Sequence, residues 1–567
     1  MWLKRTYIVC ICLLVLSCII HVPNPHNAEG AVIEVGPDMD HETISAAIEE
    51  ANDGDTVIVY EGTYRENVVI DKSIEIRGVE GNDVIVDGEG GKGIFLTAKD
   101  VHLSGLNITN SSTGIVVYES SGVNMQNISI DDVDEGVLIW DSQYGHISNL
   151  TVFGSASNGI RVVNSTDQYI FNSTVIQHGY HSAYISRSSN INFDGCDFTR
   201  GKRGTYIYHS TYVTLHNNHI SKGLNIAGES RDEFDTHSIG NNTVDDGEMT
   251  YLKDTSKVNI YDLSGQLILV NVTGSTVFNV SSSGLDVGIL LAYSRDNKII
   301  GNGIKDNFQG MIFHDSFDNH IHHNNFINNT RQIYSHDSSS EYNIWSDSLS
   351  GGNYWSDYLG SDTDEDLIGD TEIPHPLDDR GGGYFRLDPE PLMHMTSSMN
   401  LSISLQSGWN FISIGSVLPH KNLPEILQSI YGSYERAISW NANSHNWVSY
   451  IPGRAEHFNT FTYIERGKGF WIYMVEPANL TYHSVTPART TITLYDGWNM
   501  IGIPSKGILS GESIPEEVTM VGRFNESREY LVEYFNTTEI DYEPNIGYWL
   551  KLETQEPITW NIVWDET

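Results

Sequence analysis

Gly93-Ile94-Phe95-Leu96, Gly114-Ile115-Val116-Val117, Gly136-Val137-Leu138-Ile139, Gly159-Ile160-Arg161-Val162, Ser182-Ala183-Tyr184-Ile185 and Gly204-Thr205-Tyr206-Ile207 are one motif written six times. The steps between copies are 21, 22, 23, 23 and 22 residues, and the motif returns at Gly288-Ile289-Leu290-Leu291 and Gly310-Met311-Ile312-Phe313, again 22 apart. Apolar positions that alternate with period two describe strands; helices would need them at i, i+3 and i+4. A unit of this length holds about three short strands and cannot bury its apolar side alone, so units must stack. With coils about 4.8 Å apart, every strand pairs in parallel with the coil above and below. Ile115, Val117, Val137, Ile139, Ile160 and Val162 then form inward ladders. The expected fold is all-β, a parallel β-helix, and the handedness rule for parallel crossovers makes it right-handed.

A second column is read from Asn107-Ile-Thr, Asn127-Ile-Ser, Asn149-Leu-Thr, Asn172-Ser-Thr and later Asn325-Phe-Ile. The open end of such a solenoid is a bare sheet edge and needs a cover. Residues 43–51 supply one, a short amphipathic helix with Ile44, Ala47, Ile48 and Ala51 on one face, after which Thr56-Val57-Ile58-Val59 is expected to begin the first strand. The repeat breaks near 229–287, where an irregular insertion is expected. The solenoid is placed at 31–383 and a linker at 384–400. Two small β modules follow, 401–486 with Gly408-Trp409-Asn410 and 487–567 with Gly497-Trp498-Asn499. The tryptophans of this pair (Trp409, Trp440, Trp447, Trp471, Trp498, Trp549) are read as core or strand-pair aromatics.

The 567 residues carry 32 Lys and Arg against 74 Asp and Glu, a formal charge of −42. That surface repels phosphate backbones and anionic lipid, which excludes a nucleic-acid partner. Lys4 and Arg5 precede an apolar run from Tyr7 to Ile20, followed by small residues at 28–31, the order of a secretory signal peptide. Residues 1–30 are therefore expected to be removed, giving a secreted or cell-surface protein with no membrane span in the mature chain. Of the four cysteines only Cys196 lies outside this leader, so no intramolecular disulfide is available. Fourteen Asn-x-Ser/Thr sequons, Asn127, Asn149 and Asn172 among them, either carry glycans or reflect the frequency of turn residues.

The run Ala47-Ile-Glu-Glu-Ala-Asn-Asp-Gly-Asp-Thr-Val-Ile-Val-Tyr-Glu-Gly-Thr-Tyr-Arg-Glu-Asn-Val, then Ser73-Ile-Glu-Ile-Arg-Gly, resembles the start of pectin-lyase-like right-handed β-helix proteins. More narrowly it resembles their NosD-type branch, the carbohydrate-binding and sugar-hydrolase superfamily common in archaeal surface proteins. Gly352-Asn353-Tyr354-Trp355-Ser356-Asp357-Tyr358 and Ser361–Asp370 resemble that branch's terminal motif. The resemblance covers roughly residues 40–395. It implies a periplasmic or extracellular β-helix, with copper delivery as the role of the named prototype; fold alone does not choose among functions.

Between the inward positions, Val116/Tyr118, Leu138/Trp140, Arg161/Val163, Tyr184/Ser186 and Tyr206/Tyr208 face outward, bordered by Glu119, Asp141, Asn164, Arg187 and His209. Aromatic faces stack on sugar rings and flanking polar groups take hydroxyls, so Tyr118, Trp140, Asp141, Arg161, Tyr184, Arg187, Tyr206, Tyr208 and His209 are candidates for carbohydrate binding. Strands favour aromatics in any case, so both readings stand. Catalysis would need two carboxyls flanking one bond, or a base beside acidic groups as in lyases. Arg161, Arg187, Asp141, Asp167 and Asp194 are available, but no short motif singles any of them out. The expectation is a glycan-binding or envelope-structural protein without catalysis; the alternatives are a polysaccharide lyase or glycoside hydrolase on the outer groove, and NosD-like copper delivery. Asp362, Asp364, Asp366 and Asp370, with the Ile368 carbonyl, have the alternating oxygen pattern of a Ca²⁺ loop, although Glu365 and Leu367 stand where the family has Gly and no Glu follows at the twelfth position. The alternative is a solvated acidic turn. Histidines cluster at 178/181, 209/216/219 and 314/320/322/323/336, with His320 and His322 pointing the same way; without a Cys or Met ligand set, CxxC or HExxH, copper is not expected.

Overall fold

In the computed structural model the described residues are 30–563, apart from 82, 337–341, 348, 372, 377–383, 420, 504–508, 525–531 and 536–539. The expected leader lies outside them. More than half the chain is strand, wound into a β-solenoid of about 14 turns and followed by small antiparallel sheets. The cap helix, Ile44–Glu50, starts at Thr43, whose side chain accepts the Ala46 N–H, and it buries Ile44, Ala47 and Ile48. Thr56–Val59 is not the first strand: Val32–Val35 pairs with it in parallel, one coil earlier.

One eight-stranded parallel sheet carries the Gly motif, from Val68–Ile70 through Lys92–Leu96, Ser111–Tyr118, Val133–Trp140, Ile160–Val163, Ala183–Ser186 and Thr205–Tyr208 to Leu224–Ala227. The inward ladder is as expected, Ile115 on Val137 on Ile160 and Val117 on Ile139 on Val162, all buried. Glycine recurs at the motif's head because a Cβ at Gly136 would sit 2.2 Å from the Gly159 carbonyl oxygen, and one at Gly204 would sit 1.8 Å from that of Gly223.

The second column holds from Asn127 through Asn149 to Asn172, and its first member is out of register by two residues. Asn107 pairs with Ser129, not with Asn127. Asn127, Asn149, Asn172, Asn217 and Asn241 instead form a column of left-handed turns with Gly105 and Gly195, at φ between 48° and 68°. After glycine, asparagine is among the residues that best tolerate this conformation. Nine sequon asparagines have φ between 47° and 54°, so turn geometry alone accounts for asparagine there.

Polar ladders run inside the walls. The N–H groups of Ser120, Ser142, Ser165 and Ser188 each donate to the hydroxyl of the serine one coil on, ending at Ser210, at 3.0–3.1 Å. Cys196 occupies such a slot, its N–H donating to Asn218 Oδ1 at 2.8 Å; burial pushes its thiol up to about 11, so it is inert. Later coils use asparagine: Asn302 Nδ2 donates to Asn324 Oδ1 at 2.8 Å, and Asn324 Nδ2 to Asn353 Oδ1 at 2.9 Å.

The stretch near 229–287 is a corner. After the antiparallel pair Asn242–Val244 and Gly247–Ser256, strands Gly265–Thr273, Val287–Ala292 and Gln309–His314 begin a second stack. Both faces of these strands are buried. Leu267, Leu269, Ile289 and Leu291 fill a second core, while Ile268, Val270, Leu290 and Ile312 join the core of the first stack. Gln266 stitches the joint, its Oε1 accepting the Leu224 N–H at 2.8 Å and its Nε2 donating to the Leu224 carbonyl at 2.6 Å. Buried Asp286 pairs with Arg203 at 3.1 Å, and Arg203 lies 3.1 Å over the Phe308 ring.

Residues 384–400, expected as a linker, carry the strand Tyr384–Asp388 and hold the last coil: Asp388 is fully buried and the Leu392 N–H donates to the Asn353 carbonyl at 2.8 Å. Each C-terminal module pairs a two-stranded ribbon with a four-stranded antiparallel sheet. The Gly-Trp-Asn signature has the same purpose in both. Gly408 and Gly497 take φ of 94° and 83°, and Asn410 and Asn499 clamp the preceding turn through both amide atoms. The six tryptophans are absent from both module cores; strand-pair contacts join Trp440 to Trp447 and Trp498 to Trp549, and Trp447 meets Trp549 across the two modules.

Candidate functional site: an aromatic ladder on the outer sheet

Parallel register brings the expected outward residues into two columns. One runs Phe95, Val116, Leu138, Arg161, Tyr184, Tyr206, Asn225; the other runs Tyr118, Trp140, Val163, Ser186, Tyr208. Val116 and Ser186 are buried. The aromatic members divide into two clusters. Phe95 stacks on Tyr118 at 6.3 Å and Tyr118 meets Trp140 edge-on at 5.2 Å, with Trp140 45% exposed. Tyr184, Tyr206 and Tyr208 follow at 5.7 and 5.9 Å, and His181 stacks on Tyr206 at 5.3 Å. From Trp140 to Tyr208 is three coils, roughly 14 Å.

Arg161 lies between the clusters, its guanidinium 5.8 Å from the Tyr184 ring and 3.7 Å from Glu135 Oε1. Glu135 was not picked out from sequence; its place immediately before a motif glycine was the available signal. The Glu119 carboxylate accepts the Tyr118 hydroxyl and holds that phenol above its usual range. Burial raises the Tyr206 phenol, with Tyr184, Tyr208 and Tyr334 of the second stack among its neighbours. Burial also pushes His181 down to about 4, so it is neutral at physiological pH.

The bordering residues Glu119, Asp141, Asn164, Arg187 and His209 all have φ between 47° and 53°, a single turn repeated coil by coil. Arg187 is exposed. His209 is partly exposed and held in place: Glu233, from the short helix Asp232–Asp235, meets its Nδ1 at 3.1 Å. The candidate acids are likewise engaged. Asp141 accepts from Asn164, Asp167 from Asn190, and Asp194 from Asn217 at 2.7 Å. Each is fixed by an asparagine one coil on, and none shares a partner with another.

Asp362, Asp364 and Asp366 bring carboxylate oxygens within 4.8 Å of one another. Asp366 repels the Asp364 charge and raises its pKa. Asp362 accepts the N–H groups of Asp366 and Leu367, and Asp366 accepts that of Ile368, whose side chain is buried. Asp370 turns to Thr363, and Arg489 of the second module pairs with Asp366. Glu365 and Leu367 sit at φ of 58° and 66°, which is why glycine suits these two positions. Among the histidines, His322 and His323 meet Nδ1 to Nδ1 at 2.8 Å, while His314 and His336 stack at 3.9 Å with nearly parallel rings. Among the described residues no other trio of His, Cys or carboxylate groups converges.

The family model described as "Periplasmic copper-binding protein (NosD)" matches residues 51–276 and 264–360, together more than half of the chain. The probable ABC transporter binding protein NosD of Pseudomonas aeruginosa is 33% identical over 132 residues, 23% of this chain. The match spans 30% of that relative's length. Similar solved structures include the alginate lyase from Paenibacillus sp. str. FPU-7, 15% identical, covering 49% of this chain and 95% of that one at a TM-score of 0.26. They also include the catalytic domain of a GH87 alpha-1,3-glucanase, 12% identical, 59% and 70% covered, at a TM-score of 0.32. Among the described residues no helix is long and apolar enough to cross a membrane.

Proposed function

This chain belongs to the NosD family of periplasmic β-helix proteins, and on that premise we propose that it works outside the cytoplasm, as a secreted or surface protein that binds an extended glycan or envelope polymer without cleaving it. The observation that carries this reading is the ladder itself: two aromatic clusters separated by Arg161 on one parallel sheet. Aromatic faces and a cation between them suit a chain of sugar rings better than a single small ligand. The non-catalytic half of the reading is supported by Asp141, Asp167 and Asp194 each being bonded to a different asparagine and none to another acid. The test is incubation with acidic and neutral polysaccharides: retention without new reducing or unsaturated ends supports the reading, and their release overturns its non-catalytic half.

Copper delivery is the other reading the family name suggests, and we do not favour it because no third His, Cys or carboxylate group joins either histidine pair among the described residues. His322 and His323 turn their Nδ1 atoms on each other, and the parallel His314 and His336 rings cannot aim nitrogens at one point. The one converging trio, in the Asp362–Asp370 loop, offers hard oxygens, and there we propose a structural Ca²⁺.

A further inference from the structure

The first module docks on the outer face of a sheet of the second stack, through Val417 and Val485 on Phe278 and Ile300. Beside this apolar contact a cleft of about 790 Å³ opens, and next to it a recess of about 240 Å³ reaches between both modules. Their walls carry five basic side chains, Lys257, Lys298, Lys421, Arg466 and Lys468, against three carboxylates. The whole chain has 32 basic groups against 74 acidic ones. The local balance is thus inverted on a protein that otherwise repels anions.

One carboxylate, Asp347, already lies 3.9 Å from Lys421 Nζ and beside Arg466. The cations remain crowded and poorly solvated. Burial lowers the Lys298 and Lys468 ammonium groups, against the pull of Glu425 on the first and Glu465 on the second, and burial pushes Arg466 down to about 10, still charged at neutral pH. Arg466 Nε is buried without a hydrogen-bond partner. A guanidinium with a spare donor, in a recess also lined by Lys421 and Lys468, matches a carboxylate or sulfate. The adjoining cleft is larger than a bare anion requires, and Asn259, Thr276 and Asn422 supply uncharged polar groups for hydroxyls.

We propose that this cleft is a second binding site, for an acidic saccharide whose carboxylate or sulfate seats at Arg466, Lys468 and Lys421. It is separate from the aromatic ladder, and either site can fail alone. The full chain is titrated with a short oligogalacturonate, its neutral galactose counterpart and inorganic sulfate. With the ladder silenced by Tyr184→Ala, the expected result is binding of the acidic oligosaccharide only, weakened by salt and at least tenfold weaker when Arg466→Gln or the more exposed Lys421→Gln is added. Equal binding of the neutral sugar, sulfate as tight as the oligosaccharide, or full affinity in a folded Lys421→Gln protein would each overturn the proposal.

Discussion

The indole N–H of Trp355 donates to Asp388 Oδ2 at 2.9 Å, inside the last coil and away from water. The same oxygen accepts the Asn353 N–H at 2.6 Å, and Trp355 stacks on Phe326 at 4.3 Å. A Cβ at Gly352 would fall 1.8 Å from Asp388 Oδ1. The Gly-Asn-Tyr-Trp motif therefore ends the asparagine ladder on a buried carboxyl and closes the solenoid.

Burial pushes the Asp388 carboxyl from 3.8 up to about 7, against the donors around it. The folded state then holds a proton that the unfolded chain releases near 3.8. The contribution of this group is present in full below that pH and is lost as pH rises toward 7, by up to about 1.4 kcal/mol per unit. Denaturant melts between pH 4 and 8 are expected to show this fall, and Asp388→Asn to flatten it. An unchanged slope in the variant would assign the pH dependence elsewhere.

Asn324 accepts from the N–H and the side chain of Asn302 and donates to the Ile299 carbonyl at 2.8 Å. Asn324→Ala strands these groups in a dry wall and is expected to cost at least about 2 kcal/mol. In the turn column the reverse holds: Asn172, at φ 48°, should accept glycine at little cost and lose about 1–2 kcal/mol as valine. Urea unfolding of the three variants distinguishes ladder from turn asparagines.

Much of the fold was legible in sequence and part of it was not. The Gly motif and the alternation after it gave coil length, inward ladder and outward stripe, because stacking repeats the same steric demand every 21 to 23 residues. The asparagine columns misled because a turn asparagine and a strand asparagine look alike until register is known, which shifted Asn107 onto Asn127. The corner was hidden because Gln266 and Asp286 answer to Leu224 and Arg203, 42 and 83 residues away. The contact of Glu233 with His209 depends on the same corner, since the helix that carries Glu233 lies there.

Leu367 is held at φ 66° in the Asp loop. Leu367→Gly is expected to stabilise by up to about 1 kcal/mol, less the small packing loss. With calcium seated among Asp362, Asp364 and Asp366, the melting temperature should rise with added Ca²⁺ and fall with chelator, and Asp364→Asn should abolish the response. A melting temperature indifferent to both would leave Arg489 as the loop's cation and remove the ion.

The most direct test compares native protein with Trp140→Ala and Tyr184→Ala, one from each aromatic cluster, on an array of extended glycans at equal folded concentration. Each truncation is expected to weaken retention more than tenfold, about 1.4 kcal/mol, with the double variant near background. Native-level retention by the double variant, or no glycan held by the native chain, would contradict a ladder that grips sugar.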